Sequence, residues 1–281
     1  MILSSGRLLD LSEPVIMGIV NATPDSFFPE SRFSDTAAAV DAAMGMLGSG
    51  AAIVDIGGES SRPGAEKISV EEEIARVVPV IEKIREKKPR AVISIDTCSS
   101  VTARAALAAG ADIVNDITGL RSEEMIEVAS QSNAAVIIMH MRGDPSTMSQ
   151  MTDYGDVVEE VSAWLVERAK KAVESGIRKD RIILDPGIGF AKTAEQSIEI
   201  LRNVDRFLRL GFPLLVGHSR KSFIAKLTGN PVENRLVETL SISTYLYLKG
   251  VNIIRVHDVR EHDRIFGILK ILNPYGENGR E

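Results

Sequence analysis

The stretch VIMGIVNATPDSFF, residues Val15–Phe28, decides the fold. Its apolar run is rich in β-branched side chains and lies between Pro14 and Pro24, which predicts a strand covered on both faces. Asn21 stands where the run stops, so its amide is expected at the carboxyl end of the strand. An apolar run, a polar side chain at its end and then a helical segment follow one another eight times along the chain. This repetition predicts a barrel with its active site at the strand ends.

The other strands and the helices follow from the same alternation. The apolar runs predict seven further strands: Ala51–Ile56, Ala91–Asp96, Asp112–Asn115, Ala134–His140, Arg181–Asp185, Pro213–Gly217 and Asn252–Val256. The segments between them predict eight helices, the first capped by Asp35: Thr36–Gly48, Val70–Lys88, Ser99–Ala109, Glu123–Ser130, Val157–Ser175, Ala194–Phe207, Asn234–Leu248 and Arg260–Leu272. This order favours an α/β fold, a closed (β/α)8 TIM barrel. A doubly wound sheet is the competing architecture, but the glycine fingerprint that usually follows its first strand is absent from the sequence.

Length and composition predict one domain. The chain has 281 residues, of which 44% are hydrophobic, and barrels of about 250 residues are single units. We therefore expect one domain over residues 1–281. Within it, residues 1–13 are expected to form a short N-terminal hairpin that caps the barrel bottom, and residues 273–281 a disordered tail.

Charge and cysteine content narrow the classes of partner. The formal net charge of −6 offers no basic field for nucleic acid or an anionic membrane, although cations gathered locally could still bind a small anion. Cys98 is the single cysteine, which excludes an internal disulfide and suits a reducing compartment. No apolar run approaches the roughly 18 residues of a membrane helix, and Met1–Leu11 lacks the pattern of a signal peptide. We expect a cytoplasmic protein.

Polar side chains end the predicted strands, and in a barrel all these ends converge on one mouth. They are Asn21, Asp55, Glu59, Asp96, Asn115, Asp116, His140, Asp185, Lys221, Arg255 and His257. Any one of the acids could simply cap the next helix. That explanation fits Asp96 and Asp185 poorly, because each directly ends an apolar strand, where a carboxylate is costly to bury unless it accepts hydrogen bonds. A flat heterocycle with ring N–H and amino groups would supply those bonds.

Basic residues cluster on the other predicted loops: Arg62, Arg220, Lys221, Arg255 and His257. Barrel enzymes commonly bind phosphate at the loops after strands seven and eight, and Ser219–Ser222 is expected to open the helix after strand seven, where N–H groups also favour an anion. Any single basic residue could be merely solvated. Five of them at the ends of strands two, seven and eight favour an anion site instead.

Five motifs, taken together and in this order, resemble the dihydropteroate synthases. They are NATPDSF from Asn21, GGESSRPG from Gly57, DPGIGF from Asp185, GHSRKS from Gly217 and RVHD from Arg255. The resemblance runs from about Val15 to Leu272. It implies a barrel enzyme that joins 6-hydroxymethyl-7,8-dihydropterin pyrophosphate to p-aminobenzoate, giving 7,8-dihydropteroate and pyrophosphate.

The resemblance also implies roles for individual residues. The pterin ring would be held by Asp96, Asn115, Asp185, Lys221 and Arg255. The pyrophosphate would be bound by Asn21, Arg62, Arg255 and His257, with Asn21 also contacting Mg²⁺. The p-aminobenzoate pocket would comprise Ser61, Pro63, Phe190, Lys221 and Ser222. Asp25 would lie in a first loop that closes over the site, and the chain would form a homodimer through its later helices. The catalytic set would be Asp96, Asp185, Lys221, Arg255 and His257.

The chain departs from the family pattern in three places. Phe28-Pro29-Glu30-Ser31 stands where Asp-Gly-Gly is frequent, so a stiffer first loop and an altered choice of acceptor are expected. Ser61 stands where threonine is common, and Ala191 replaces a frequent glycine after Phe190. None of these changes removes a charged group.

Two other functions remain open at this point. A pterin-dependent methyltransferase, passing a methyl group from methyltetrahydrofolate to a corrinoid protein, would share the acids but needs no pyrophosphate clamp. A non-catalytic pterin-binding protein would need neither the clamp nor the acceptor serine Ser222. The proposed reaction requires no enzyme nucleophile, so Cys98 is expected to be a packed thiol. His140 and Met139 could simply wall the cavity, and His218 and His262 are expected to be structural or to face solvent.

Overall fold

The computed structural model describes residues 1, 3, 6–22, 31–59 and 67–272, and of residues 31–35 the backbone alone. Its strands are β1 (Val15–Asn21), β2 (Ile53–Gly57), β3 (Val92–Asp96), β4 (Ile113–Asp116), β5 (Ala135–Met139), β6 (Ile182–Asp185), β7 (Leu215–Gly217) and β8 (Ile253–Val256). They form one parallel sheet in the order β6-β5-β4-β3-β2-β1-β8-β7. A parallel bridge between Leu184 and Leu214 joins its two edges. The predicted (β/α)8 barrel is therefore confirmed, nearly closed.

Ten helices surround the strands within the described part of the chain. They are α1 (Ser31–Gly48), α2 (Val70–Lys87), α3 (Ser100–Ala108), α4 (Glu123–Ser132), α5 (Val157–Glu174), α6 (Ala194–Arg202), α7 (Val204–Leu208), α8 (Ser222–Thr228), α9 (Leu236–Leu248) and α10 (Val259–Leu272). None of the described helices has the length and apolar character needed to cross a membrane.

Three predicted helix boundaries are wrong. α1 begins at Ser31, so Asp35 lies inside the helix rather than capping it, because no proline or glycine interrupts residues 31–35. The predicted sixth helix is divided at Asn203, whose backbone leaves the helical region. Ser222 opens the separate short helix α8, which Gly229 ends in a left-handed conformation, and the long helix begins only at Leu236.

The lower interior of the barrel is apolar. Its inward side chains include Met17, Ile53, Val92, Ile113, Ala135, Ile137, Ile183, Leu215 and Ile253. Leu3 and Leu9 of the N-terminal segment are buried in the same cluster, and the segment folds back through a bond from the Leu9 N–H to the Met1 carbonyl, 2.9 Å. The N-terminal segment therefore covers the end of the barrel where the strands begin.

Above this apolar cluster, the same faces of the strands carry polar side chains. Side chains two residues apart on a strand point to the same face, so Asp55 lies above Ile53, Asn115 above Ile113, Asp185 above Ile183 and Arg255 above Ile253. Strand pairing also sets Asp96 beside Asn115. Polar residues remote in sequence are thus gathered at the carboxyl ends of the strands.

Candidate active site

A carboxylate–guanidinium–carboxylate group forms one wall of the mouth. Arg255 donates from Nε to Asp55 Oδ2 and from Nη2 to Asp96 Oδ2, each across 2.7 Å. The same Asp55 oxygen accepts a bond of 2.9 Å from Asn115 Nδ2. Asp55 is completely buried, whereas the Asp96 side chain keeps 16% of its exposure. Arg255 was expected to bind pyrophosphate. Two of its guanidinium nitrogens are hydrogen-bonded to the acids beside it.

These contacts set the charge states of the wall. Burial raises the pKa of Asp96 to about 7, with Asp55 adding to the rise and Arg255 opposing it. Although burial acts to lower it, the carboxylates of Asp55 and Asp96 raise the pKa of Arg255 above its ordinary value. The guanidinium stays charged, and Asp96 changes its protonation near neutral pH.

Lys221 and Asp185 form the opposite wall. Lys221 Nζ donates to the Ile188 carbonyl across 2.5 Å and lies 4.2 Å from the centre of the Phe190 ring. Burial lowers the pKa of Lys221 to about 7, and Asp185 opposes that change. Burial raises the pKa of Asp185, with Lys221 in turn opposing the rise. The two walls thus present acids and a lysine whose charges depend on one another.

The loop after β6 needs glycine for a physical reason. Gly187 has φ +66°, and its N–H donates to Asp185 Oδ1 across 2.7 Å. A Cβ added at Gly187 would come within 2.1 Å of the His140 carbonyl oxygen, so any side chain there would displace the loop. Ala191 also has a positive φ, 49°, a conformation that costs alanine roughly 1 kcal/mol and glycine nothing. A glycine at this position would adopt that backbone without the strain.

Lys192 is a structural residue of this loop that the sequence analysis missed. Its buried Nζ lies 3.0 Å from His140 Nδ1, 2.9 Å from the Phe190 carbonyl oxygen and 3.4 Å from the His140 carbonyl oxygen. His140 stacks edge-on against Trp164, and burial lowers its pKa to about 2, so the ring is neutral. His140 thus lies behind the loop as an acceptor. A lysine two residues after Phe190 was the available signal, but its burial could not be read from the sequence.

The loops after β7 and β8 are cross-linked to each other. Ser219 Oγ lies 3.0 Å from His257 Nδ1. Arg220 binds Asp258 with two bonds, from Nε at 2.8 Å and from Nη2 at 2.7 Å. The expectation that Arg220 adds a cation to the mouth is therefore wrong, because its charge is matched by the adjacent acid. The Ser219 contact to His257 was not predicted.

His218 and His262 are structural and fully buried, not solvent-facing. Ser243 Oγ of α9 lies 3.0 Å from His218 Nε2 and 2.8 Å from His262 Nε2. His262 Nδ1 is 2.6 Å from the Asp258 carbonyl oxygen. This buried chain ties both loops to the outer helices.

Cys98 precedes α3 by two residues and is exposed, so the expectation of a packed thiol is wrong. Local desolvation and the adjacent carboxylates of Asp116 and Asp96 raise the pKa of its thiol. The helix start therefore does not activate it, because the neighbouring acids oppose a thiolate.

The remaining predicted residues lie at the rim or outside the described ranges. Asn21 is exposed at the end of β1, and Ser222 is exposed at the first residue of α8. Asp25, Ser61, Arg62 and Pro63, together with the Pro29 loop and the predicted tail, fall outside the described residues. Among the residues that are described, no group of three or more His, Cys, Asp or Glu is arranged to hold a metal ion.

Comparison with known proteins gives a consistent answer. Residues 17–257 match the family model described as "Pterin binding enzyme". The chain is 48% identical over 259 residues to a dihydropteroate synthase of Synechocystis sp., covering 92% of this chain and 89% of that one. The chain belongs to the dihydropteroate synthase family. It is also 39% identical over 277 residues to the Escherichia coli (strain K12) member, covering 99% and 98% of the two chains.

Solved structures of dihydropteroate synthases have the same fold. The Xanthomonas albilineans enzyme with 4-aminobenzoic acid has a TM-score of 0.89 at 38% identity, with 96% of each chain covered. A structure of that enzyme in complex with 7,8-dihydropteroate has a TM-score of 0.86 at 36% identity, covering 96% of this chain and 97% of that one.

Proposed function

We propose that the protein condenses 6-hydroxymethyl-7,8-dihydropterin pyrophosphate with p-aminobenzoate to give 7,8-dihydropteroate and pyrophosphate. The observation that carries this proposal is a mouth that holds carboxylate and amide acceptors together with a lysine donor. Asp96, Asn115 and Asp185 supply carboxylate and amide oxygens, and Lys221 supplies N–H donors. The pyrimidinone edge of a pterin has the complementary ring N–H and amino donors, with a carbonyl acceptor beside them.

The bond changes of this reaction need little covalent chemistry from the protein. The C–O bond between the pterin methylene and the pyrophosphate breaks, and its electron pair leaves with the pyrophosphate. The carbon left behind is cationic and conjugated to the pterin, where ionised Asp96 and Asp185 stabilise it. The amine nitrogen then forms the new C–N bond and releases its proton to solvent.

Binding of the leaving group falls to the loops after β1, β2 and β8. We assign Asn21, Arg62 and His257 to the pyrophosphate, with Arg255 contributing the part of its guanidinium that faces away from Asp55 and Asp96. Ser219 supports this assignment, because its contact with Nδ1 fixes the His257 ring. Backbone N–H groups at the start of α8 add to the positive potential there.

Magnesium fits as an ion carried by the substrate. Mg²⁺ usually keeps several waters and binds through one or two protein oxygens plus substrate phosphates. The exposed Asn21 amide at the end of β1 is suited to be such a ligand. When bound there, Mg²⁺ would neutralise charge on the leaving pyrophosphate.

The p-aminobenzoate site is assigned to Ser61, Pro63, Phe190, Lys221 and Ser222. Phe190 lies against Lys221 at 4.2 Å, so an aromatic ring placed beside Phe190 would approach the pterin held by Lys221. Ser222 is exposed at the start of α8, where its hydroxyl and the adjacent N–H groups could bind the carboxylate. Asp25 is assigned to closure of the first loop over this site.

The test of the function separates it from methyl transfer. With Mg²⁺, the pterin pyrophosphate and p-aminobenzoate, we expect 7,8-dihydropteroate by mass spectrometry together with one pyrophosphate per product. Omission of either organic substrate should abolish product. Methyl transfer from methyltetrahydrofolate to a corrinoid protein, without any dihydropteroate, would assign the barrel to the methyltransferases instead.

We further propose that the enzyme acts in the cytoplasm as a homodimer through α9 and α10. These helices expose large apolar side chains: Val237, Leu248, Ile268, Ile271 and Leu272. A groove of about 590 Å³ between them is lined in part by Leu240, Ile265 and Leu269. Light scattering should give twice the monomer mass of 30.5 kDa, and Ile268→Lys should shift that mass to the monomer value. A wild-type monomer would contradict the dimer without touching the catalytic proposal.

A further inference from the structure

Asp55 has no part in the reaction described above, yet it touches two residues that do. Its side chain has no solvent exposure. One oxygen, Oδ2, accepts both the 2.9 Å bond from Asn115 and the 2.7 Å bond from Arg255. The other oxygen, Oδ1, has no hydrogen-bond partner among the described residues. Keeping a fully buried carboxylate is costly unless its contacts are needed.

The first contact fixes the orientation of an amide. The two ends of an asparagine amide are alike in shape and differ in hydrogen-bonding character. A carboxylate can only accept, so Asp55 binds the Nδ2 end of Asn115 and leaves the carbonyl oxygen Oδ1 as the atom available to a ligand. Without Asp55, the amide could turn and offer N–H groups instead.

The second contact fixes the plane of the Arg255 guanidinium. With Nε on Asp55 and Nη2 on Asp96, the Arg255 guanidinium is held between two carboxylates on different strands. A planar group held at two points cannot rotate about its side chain. Arg255 therefore keeps the Asp96 carboxylate in place beside Asn115, its neighbour in the strand pairing.

We propose that Asp55 is the positioning residue that makes the pterin site select a ring carrying an amino group, by holding the Asn115 carbonyl and the Asp96 carboxylate as paired acceptors. The proposal rests on the pterin-binding function above. It predicts that a ring with an oxo group in place of the 2-amino group is rejected, because two acceptors would then face each other. The preference for a ring that carries an amino group is thus set by Asp55, which lies behind the residues that contact the ligand.

The test compares two ligands in matched variants. Dissociation constants are measured by calorimetry at pH 7.5 for the dihydropterin pyrophosphate and for its 2-oxo analogue. We expect Asp55→Ala to reduce the preference for the amino ligand at least about tenfold. Asp55→Asn keeps an oxygen acceptor in the same volume and should retain the preference. Ser94→Ala is the control, because Ser94 is equally buried, is paired with Asp55 across the strands, and has no bond to Asn115 or Arg255 among those described.

Each outcome decides the matter. Weaker binding of both ligands by the same factor in Asp55→Ala would show a purely structural role and overturn the proposal. If Asp55→Ala does not fold, Asp55→Ser gives a second readout, because its hydroxyl can donate as well as accept and so no longer fixes which end of the Asn115 amide faces the ligand. An unchanged preference for the amino ligand in Asp55→Ser would overturn the proposal. Failure of the wild type to bind the pterin pyrophosphate would instead refute the proposed function.

Discussion

Arg255 Nη2 donates to Asp96 Oδ2 across 2.7 Å, although the two residues are 159 positions apart in the sequence. This bond joins β8 to β3 at the barrel mouth and sets a basic residue inside an acidic wall. Burial raises the pKa of Asp96 more than Arg255 lowers it. The site therefore holds an acid and, across the mouth, a lysine that both titrate near pH 7.

The first prediction is a narrow pH optimum. In the proposed function, pterin binding needs ionised Asp96 and protonated Lys221, and both groups have a pKa of about 7. We expect kcat/KM for the pterin pyrophosphate to peak near pH 7 and to fall about tenfold per pH unit well away from it on either side. Lys221→Arg should remove the alkaline limb, since arginine stays protonated. A flat profile between pH 5 and 9 would contradict the assignment.

The second prediction is that the acidic wall lowers stability. The folded state keeps a proton on Asp96 up to about pH 7, while the unfolded state loses it near 3.8. The unfolding free energy contributed by this group therefore falls as pH rises through that window. Asp96→Asn should stabilise the fold by about 1–3 kcal/mol at pH 8 and by less at pH 5. Urea unfolding at the two pH values measures this, and a less stable variant at pH 8 would refute it.

The strand ends could be read from the sequence because barrel geometry depends on simple periodicity. An apolar strand with alternation of period two dictates that Asp96, Asn115 and Asp185 emerge at one end. Predicting this position requires no knowledge of side-chain packing, since every strand of a parallel barrel points the same way. The sequence does not reveal which side chains form hydrogen bonds or ion pairs with these residues.

Arg220 and Lys192 show that strand periodicity does not predict the contacts of residues in the loops. Arg220 looked like a cation of the mouth, but Asp258 lies beside it in space and takes up its charge. Lys192 was assigned no role from the sequence, but the loop folds over it and places three acceptors around its Nζ. Both outcomes depend on contacts between loops from different strands, which no local pattern encodes.

The third prediction concerns the opposite end of the barrel. The fully buried Asp112 carboxylate binds Arg7 of the N-terminal segment and Arg85 of α2, and accepts from the Ile93 N–H at 3.1 Å. Asp112→Ala leaves two arginines without their acid, which should cost about 3 kcal/mol of unfolding free energy. Turnover at a temperature where the variant is folded should be unchanged.

A surface pair provides the control for Asp112. Arg178 and Asp180 form an ion pair with more than half of each side chain exposed, so Asp180→Ala should leave thermal unfolding unchanged. Equal stability losses in the two variants would show that burial at the barrel bottom is not what matters.

The fourth prediction concerns Cys98. Because its thiol pKa is raised next to Asp116, alkylation by iodoacetamide at pH 7.5 should be slower than for a free thiol. Cys98→Ser should change kcat less than about threefold. A loss above roughly a hundredfold would mean that the thiol acts in catalysis.

The central claim is that four strands deliver their terminal side chains to one pterin. It is tested most directly by the dissociation constant of the dihydropterin pyrophosphate, measured by calorimetry with Mg²⁺ at pH 7. The variants, one from the end of each strand or the loop that follows it, are Asp96→Asn, Asn115→Ala, Asp185→Asn and Lys221→Met. We predict that every one weakens binding at least about tenfold, since each removes a charge-assisted or buried hydrogen bond. Folded variants that bind as tightly as the wild type would contradict the shared site.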